Sequence, residues 1–218
     1  MDFSDNFRKL CGFSTESGNV TGNFFIRSAS PITLSEERKE FLVNEKVQHI
    51  LDLRRAEEVL KKPSLYAKLN GCEYINIPLI KTPYKVKSEQ PLRGLEYYNR
   101  IISEKENVCL IFKYLANAKG KVIYHCAGGK SRTGVITALL LLLAGVDEEQ
   151  IVQDYCRSYL ELYDENVYNQ KFELGKKDVK NFLDFIRKEF NNAECFFEYI
   201  GMTYEEICRL KKNLFKTI

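Results

Sequence analysis

Apolar positions fall along this chain in two rhythms. Residues 24–27 (FFIR), 47–53 (VQHILDL), 72–79 (CEYINIPL) and 121–125 (KVIYH) are short runs rich in branched and aromatic side chains. Each is bounded by turn residues, the pattern of a strand. The stretches between them are longer and charged, with apolar positions at helical spacing. Thr33 and Glu36 form a T-x-x-E capping box ahead of an amphipathic stretch ending near Lys46. Residues 57–62 read as a short helix stopped by Pro63, and most of residues 92–119 as helical material in two pieces. Strands alternating with helices predict parallel pairing, with helices on both faces of the sheet.

After the fourth strand the pattern becomes wholly helical. Residues 135–146 are the most apolar run, about a dozen residues against the roughly 20 that span a bilayer, so they predict a buried core helix. Gly145 ends it, and Asp147 with Gln150 opens another helix carrying Ile151, Val152 and Tyr155. Residues 179–190, 193–200 and 203–215 complete the helical part. Phe182, Phe185, Phe190, Phe196 and Phe197 read as its core, with Ile207, Leu210 and Leu214 forming a stripe. The expected fold is therefore α/β: a central, mainly parallel sheet of four or five strands flanked by helices, with a helical C-terminal portion. The division expected is one domain over 1–218, with a core at 1–175 and a helical extension at 176–218 packed on it.

Composition narrows the function classes. Of 218 residues, 44% are hydrophobic and 29% charged, which supports a packed core. The 33 basic and 30 acidic side chains leave a net charge of +3, too little for the field of a dedicated nucleic-acid binder. The seven cysteines are scattered and include no C-x-x-C pair, which reads as reduced thiols in a cytoplasmic setting. Residues 1–10 are polar and mixed in charge, unlike a secretory signal, although export without such a signal stays open.

The chemistry concentrates in residues 125–134, HCAGGKSRTG. A strand delivers Cys126 to the sheet's C-terminal edge, and a loop of small residues, Ala127, Gly128, Gly129, Lys130 and Ser131, then enters a helix at Arg132 and Thr133. Such a loop points backbone N–H groups inward and, with the helix N-terminus, cradles a tetrahedral oxyanion such as phosphate or sulfate. The same field favours thiolate, and cysteines so placed have pKa values of about 3.5–7.5 instead of about 8.5. Arg132 adds a planar fork for two phosphate oxygens. Nucleophile, cradle and cation together point to phosphomonoester hydrolysis through a phosphocysteine, with Thr133 assisting departure of the sulfur and no metal or other cofactor. A nucleotide-binding P-loop is excluded by Tyr124 where that motif needs Gly. A Cys-His dyad is poor because adjacent residues of a strand point to opposite faces, so His125 is expected to orient the loop.

C-x5-R followed by Thr resembles the signature of cysteine-dependent tyrosine and dual-specificity phosphatases, and H-C-x-x-G-K-x-R-T-G is similar to an atypical bacterial branch of them. That resemblance implies activity on phosphotyrosine and, in some members, phosphoinositides. Residues 6–13 (NFRKLCGF) resemble the family's N-F-R-D-L-G-G-Y opening, Ile26-Arg27-Ser28 its Y-R-S and Asp52-Leu53-Arg54 its D-L-R. Residues 199–214 resemble its closing helical unit. Ser131 stands where the family usually has Asp, and Lys9 and Cys11 also depart from its pattern.

A further departure concerns the general acid. Some family members carry Asp after the third strand, whereas this chain reads Pro78-Leu79-Ile80-Lys81. Asp52 is the first candidate, with pairing to Arg54 or orientation of the loop as its alternative role. Glu89 comes next, and Asp154 and Asp164 after it. Lys81, Lys85, Lys87 and Arg93 are candidate substrate contacts if their segment overhangs the pocket, and a solvated loop if it does not. Three functions follow: a phosphatase of phosphorylated protein, a phosphoinositide or inositol-polyphosphate phosphatase, and a phosphate-binding module with little turnover.

Overall fold

The computed structural model describes residues 6–15, 18–19, 21–81, 100–101, 103–160 and 165–217. In chain order the elements are β1 (Arg8–Lys9), β2 (Phe25–Ala29), α1 (Glu36–Asn44), β3 (Val47–Asp52), α2 (Ala56–Lys61), a 3-10 turn (Leu65–Lys68), β4 (Glu73–Asn76), α3 (Lys105–Asn117), β5 (Lys121–Cys126), α4 (Ser131–Ala144), α5 (Glu148–Leu160), α6 (Glu165–Phe190), α7 (Ala193–Tyr199) and α8 (Tyr204–Phe215).

The sheet runs β1-β2-β5-β3-β4, parallel except for β1 at its edge. β5 is central and buried at all six positions, which is why residues 121–126 lack the polar alternation of a half-exposed strand. Successive side chains divide between two cores. Ile26, Ile50 and Ile123 pack with Leu42 of α1 and Tyr66 on one face, and Phe25, Leu51, Val122 and Tyr124 join the larger cluster under α3, α4 and the C-terminal helices on the other. Register brings Ala29 opposite Cys126 and Asp52 opposite His125, so three strands end at one edge.

Helix α4 is apolar on nearly every side because β5, β2 and α5 to α8 surround it. Gly145 closes it at φ +77, a left-handed cap that suits glycine. Thr203 and Glu206 form a capping box at α8, and Asp147 Oδ1 accepts from Gln150 N at the start of α5. Among the described residues, no helix is long and apolar enough to cross a membrane.

Some expectations need correction. The N-cap of α1 is Ser35, whose side chain accepts from Arg38 N, and not Thr33. β1 is too short to leave a period in the sequence. The boundary expected between residues 175 and 176 falls inside α6, which runs unbroken to Phe190, so no structural break separates a core from an extension there. α7 and α8 contribute Phe196, Phe197, Leu210 and Leu214 to the larger core itself.

Candidate active site

Cys126 closes β5, and residues 127–130 turn the chain into α4. Two features make that turn. Gly129 sits at φ +63, and a Cβ there would lie 2.6 Å from Ala29 N, so the loop approaches β2 too closely for any side chain. Buried polar groups then pin its carbonyls: Asn6 Nδ2 donates to Gly128 O at 2.9 Å and Arg27 Nη2 to Gly129 O at 2.8 Å.

Arg27 is fully buried, and its counter-ion is Asp154 of α5, which also pairs with Arg8 (Nε–Oδ1 2.7 Å). Ser158 Oγ accepts from both arginines. Burial alone drives the Asp154 carboxyl up, but the two guanidinium charges overcome it and hold it below the ordinary range. Asp154 is thus a buried anion between two arginines. The opening N-F-R segment and the R-S segment meet here, behind the loop.

Cys126 is 3% exposed. Its burial opposes ionisation, yet the charge of Arg132, the Thr133 hydroxyl and the N–H groups of Thr133 and Gly129 lower its thiol below the usual value. His125 is fully buried, with Nδ1 3.3 Å from Cys126 O and Nε2 3.3 Å from Ser64 Oγ. Burial pushes its pKa down to about 4 against the pull of Asp52, so the ring is neutral at pH 7. It lies edge-on to Tyr66.

The surroundings of Asp52, the candidate general acid, are those of an ion pair. The carboxylate is fully buried, receives Arg54 through Nε at 3.0 Å and Nη2 at 2.6 Å, and accepts the Tyr74 hydroxyl at 2.7 Å. Burial raises its pKa, but Arg54, His125 and Tyr74 lower it further and hold the carboxyl below its ordinary range. Asp52 pairs with Arg54 beneath the loop. Glu89 and Asp164 lie outside the described residues.

Sequence reasoning missed Glu58. Its carboxylate grips Arg132 at both prongs, Nη1–Oε2 2.7 Å and Nη2–Oε1 2.9 Å, and accepts Arg55 N at 3.0 Å. Burial raises the Glu58 pKa, but Arg132 overrides it and keeps the group charged. The available signal was a carboxylate in the first turn of a helix following a strand that ends beside Cys126. α2 buries none of its residues, so hydrophobic patterning offered no reason to single it out.

Ser131 and Arg132 open α4 and are half-buried. Lys130 places Nζ 4.3 Å from the centre of the Tyr159 ring. Lys81 is exposed, while Lys85, Lys87 and Arg93 lie outside the described residues. His49 is bound to Glu73 and Tyr114, away from the loop. Among the described residues, no group of three or more His, Cys, Asp or Glu side chains is placed to hold a metal ion.

A profile of the tyrosine phosphatase family matches residues 1–216. A tyrosine-protein phosphatase of Nostoc commune is 26% identical over 223 residues, covering 89% of this chain and 75% of that protein. The triple specificity protein phosphatase PtpB of Mycobacterium tuberculosis is 51% identical over 37 residues, 17% of this chain and 13% of that one. Among solved structures, the core catalytic domain of the PP-IP phosphatase SIW14 from S. cerevisiae, in complex with citrate, has a TM-score of 0.44 at 19% identity, covering 86% of this chain and 93% of that one.

Proposed function

The chain belongs to the tyrosine phosphatase family and is a cysteine-dependent phosphatase; from that premise we propose that it hydrolyses phosphomonoesters in two displacements at Cys126, phosphotyrosine first and phosphoserine or phosphothreonine with it. The observation that carries this reading is the pairing of a thiol stabilised as thiolate with Arg132 held in place by Glu58.

In the first displacement Cys126 Sγ attacks phosphorus in line, the P–O bond to the leaving group breaks and that oxygen takes the electron pair. Arg132 and the amides of residues 127–132 follow the charge on the equatorial oxygens. A phenolate, whose conjugate acid has a pKa of about 10, departs with less protonation than an alkoxide does, which places phosphotyrosine first. Water then attacks the phosphocysteine, releasing phosphate and a proton, while Thr133 donates to the departing sulfur. No step calls for a metal ion.

A second reading, hydrolysis of a phosphoinositide or inositol polyphosphate, is favoured by a second guanidinium, that of Arg55, beside Arg132. The test is release of inorganic phosphate in EDTA from phosphotyrosine, phosphoserine and phosphoinositide substrates, with Cys126→Ser in parallel. Turnover lost in the variant supports the cysteine mechanism, and the best substrate chooses between protein and lipid. Stoichiometric phosphate binding without turnover by the wild type on every substrate overturns the reading in favour of a binding module.

A further inference from the structure

The two arginines that follow Asp52 have different fates. Arg54 is 2% exposed and committed to Asp52 and to Lys62 O. Arg55 is not drawn into that pair. Its side chain is 27% exposed, like Glu58 at 25% and Arg132 at 20%, so all three share one partly open rim beside Cys126.

Glu58 joins them through a single atom. Its Oε2 lies 2.7 Å from Arg132 Nη1 and 3.3 Å from Arg55 Nε, so these two nitrogens are at most about 6 Å apart, the sum of the two distances. One carboxylate thus faces two guanidinium groups, and the rim keeps a surplus positive charge next to the place where Arg132 meets the reacting phosphoryl group. Guanidinium matches phosphate oxygens in a planar fork, and a surplus charge this close to the loop is suited to a second anion on the same substrate.

We infer that Arg55 is a specificity-determining contact for a second phosphate, borne on the atom next to the one carrying the phosphoryl group transferred at Cys126. Among inositol-phosphate substrates, those that carry two phosphates side by side, as in a vicinal bisphosphate, are therefore preferred. An acidic neighbour in a phosphotyrosine peptide is separated from the phosphorus by the whole tyrosyl side chain, too far for so close a pair of cations. Phosphates on adjacent carbons of a small ring lie at about the right separation, and those across the ring do not. This inference rests on the reading of Cys126 as the nucleophile of a phosphatase.

Binding to Cys126→Ser protein tests it without turnover. Calorimetry compares two inositol bisphosphates of equal charge, one with adjacent phosphates and one with phosphates on opposite carbons. The adjacent isomer is expected to bind about tenfold or more tightly, the scale of one well-placed charge-assisted contact, and adding Arg55→Ala removes the difference while Arg55→Lys restores part of it. Equal affinity for the two isomers, absence of binding by either, or a preference that survives Arg55→Ala overturns the inference. Turnover of an aryl phosphate by the wild-type protein, measured alongside, reports on the phosphatase reading separately. An intact isomer preference without turnover strikes catalysis alone, and turnover without isomer preference strikes the role of Arg55 alone.

Discussion

Glu58 holds both terminal nitrogens of Arg132, at 2.7 and 2.9 Å, and through the same carboxylate caps the backbone of Arg55 at the start of α2. The guanidinium proposed to meet the phosphoryl group is thus oriented from a neighbouring element before any substrate arrives. Glu58→Gln keeps the shape and removes the charge. Because misplacing a catalytic group by about 1 Å costs on the order of 10²-fold, kcat on an aryl phosphate is expected to fall about ten- to a hundredfold. Steady-state kinetics with Glu58→Asp as a partial rescue checks this, and a kcat within twofold of wild type in Glu58→Gln removes the positioning role.

Cys126 loses its proton below the ordinary thiol pKa because Arg132, Thr133 and the backbone amides of Gly129 and Thr133 outweigh its burial. Since the thiolate is the attacking form, kcat/KM gains a limb that rises with pH through that depressed pKa and levels off above it. Thr133→Val deletes a hydroxyl that favours the thiolate and should move the limb upward. Cysteine alkylation rates against pH give the same midpoint without substrate. A midpoint at or above that of a free thiol in the wild type contradicts the stabilised thiolate.

His125 is buried and neutral, with its pKa pushed down to about 4 from 6.5. The unfolded chain binds a proton there between those values and the folded chain does not, so stability falls as pH drops from about 6.5 toward about 4. The loss is of order a few kcal/mol for a shift of this size. Thermal unfolding of wild type and His125→Gln across pH 4–7 checks it. The variant should be less stable at pH 7 and flatter across the window, and parallel curves tell against His125 as the source.

Asp154 neutralises two buried arginines at once. Asp154→Ala leaves both uncompensated, and breaking a buried pair in this way costs about 3–5 kcal/mol. Denaturant unfolding reads that loss. A change under about 1 kcal/mol shows that water enters and solvates the arginines, so that the loop does not depend on this anion.

Asp52 is expected to matter for structure and not for proton donation. In Asp52→Asn, activity on aryl and alkyl phosphates should fall by the same factor, alongside reduced stability. Loss of a general acid costs about 10²–10⁴-fold and falls more heavily on the alkyl leaving group. A selective collapse of alkyl phosphate hydrolysis therefore restores Asp52 as the acid.

The order of elements was legible because burial on both sheet faces leaves short apolar runs at residues 24–26 and 122–124, at the start of β2 and within β5, while α4 is apolar all round. The loop from Cys126 to Arg132 was legible because its chemistry is local: nucleophile, small residues and arginine lie within seven consecutive positions. Partners contributed from elsewhere were not. Glu58 lies 74 residues from Arg132, and Arg8 and Arg27 lie 146 and 127 residues from Asp154. A carboxylate in sequence looks the same whether it donates a proton, orients an arginine or neutralises a buried cation. Only the register of β3 on β5 and the packing of α5 behind the loop decide which charges face each one, and those charges set its protonation and its role.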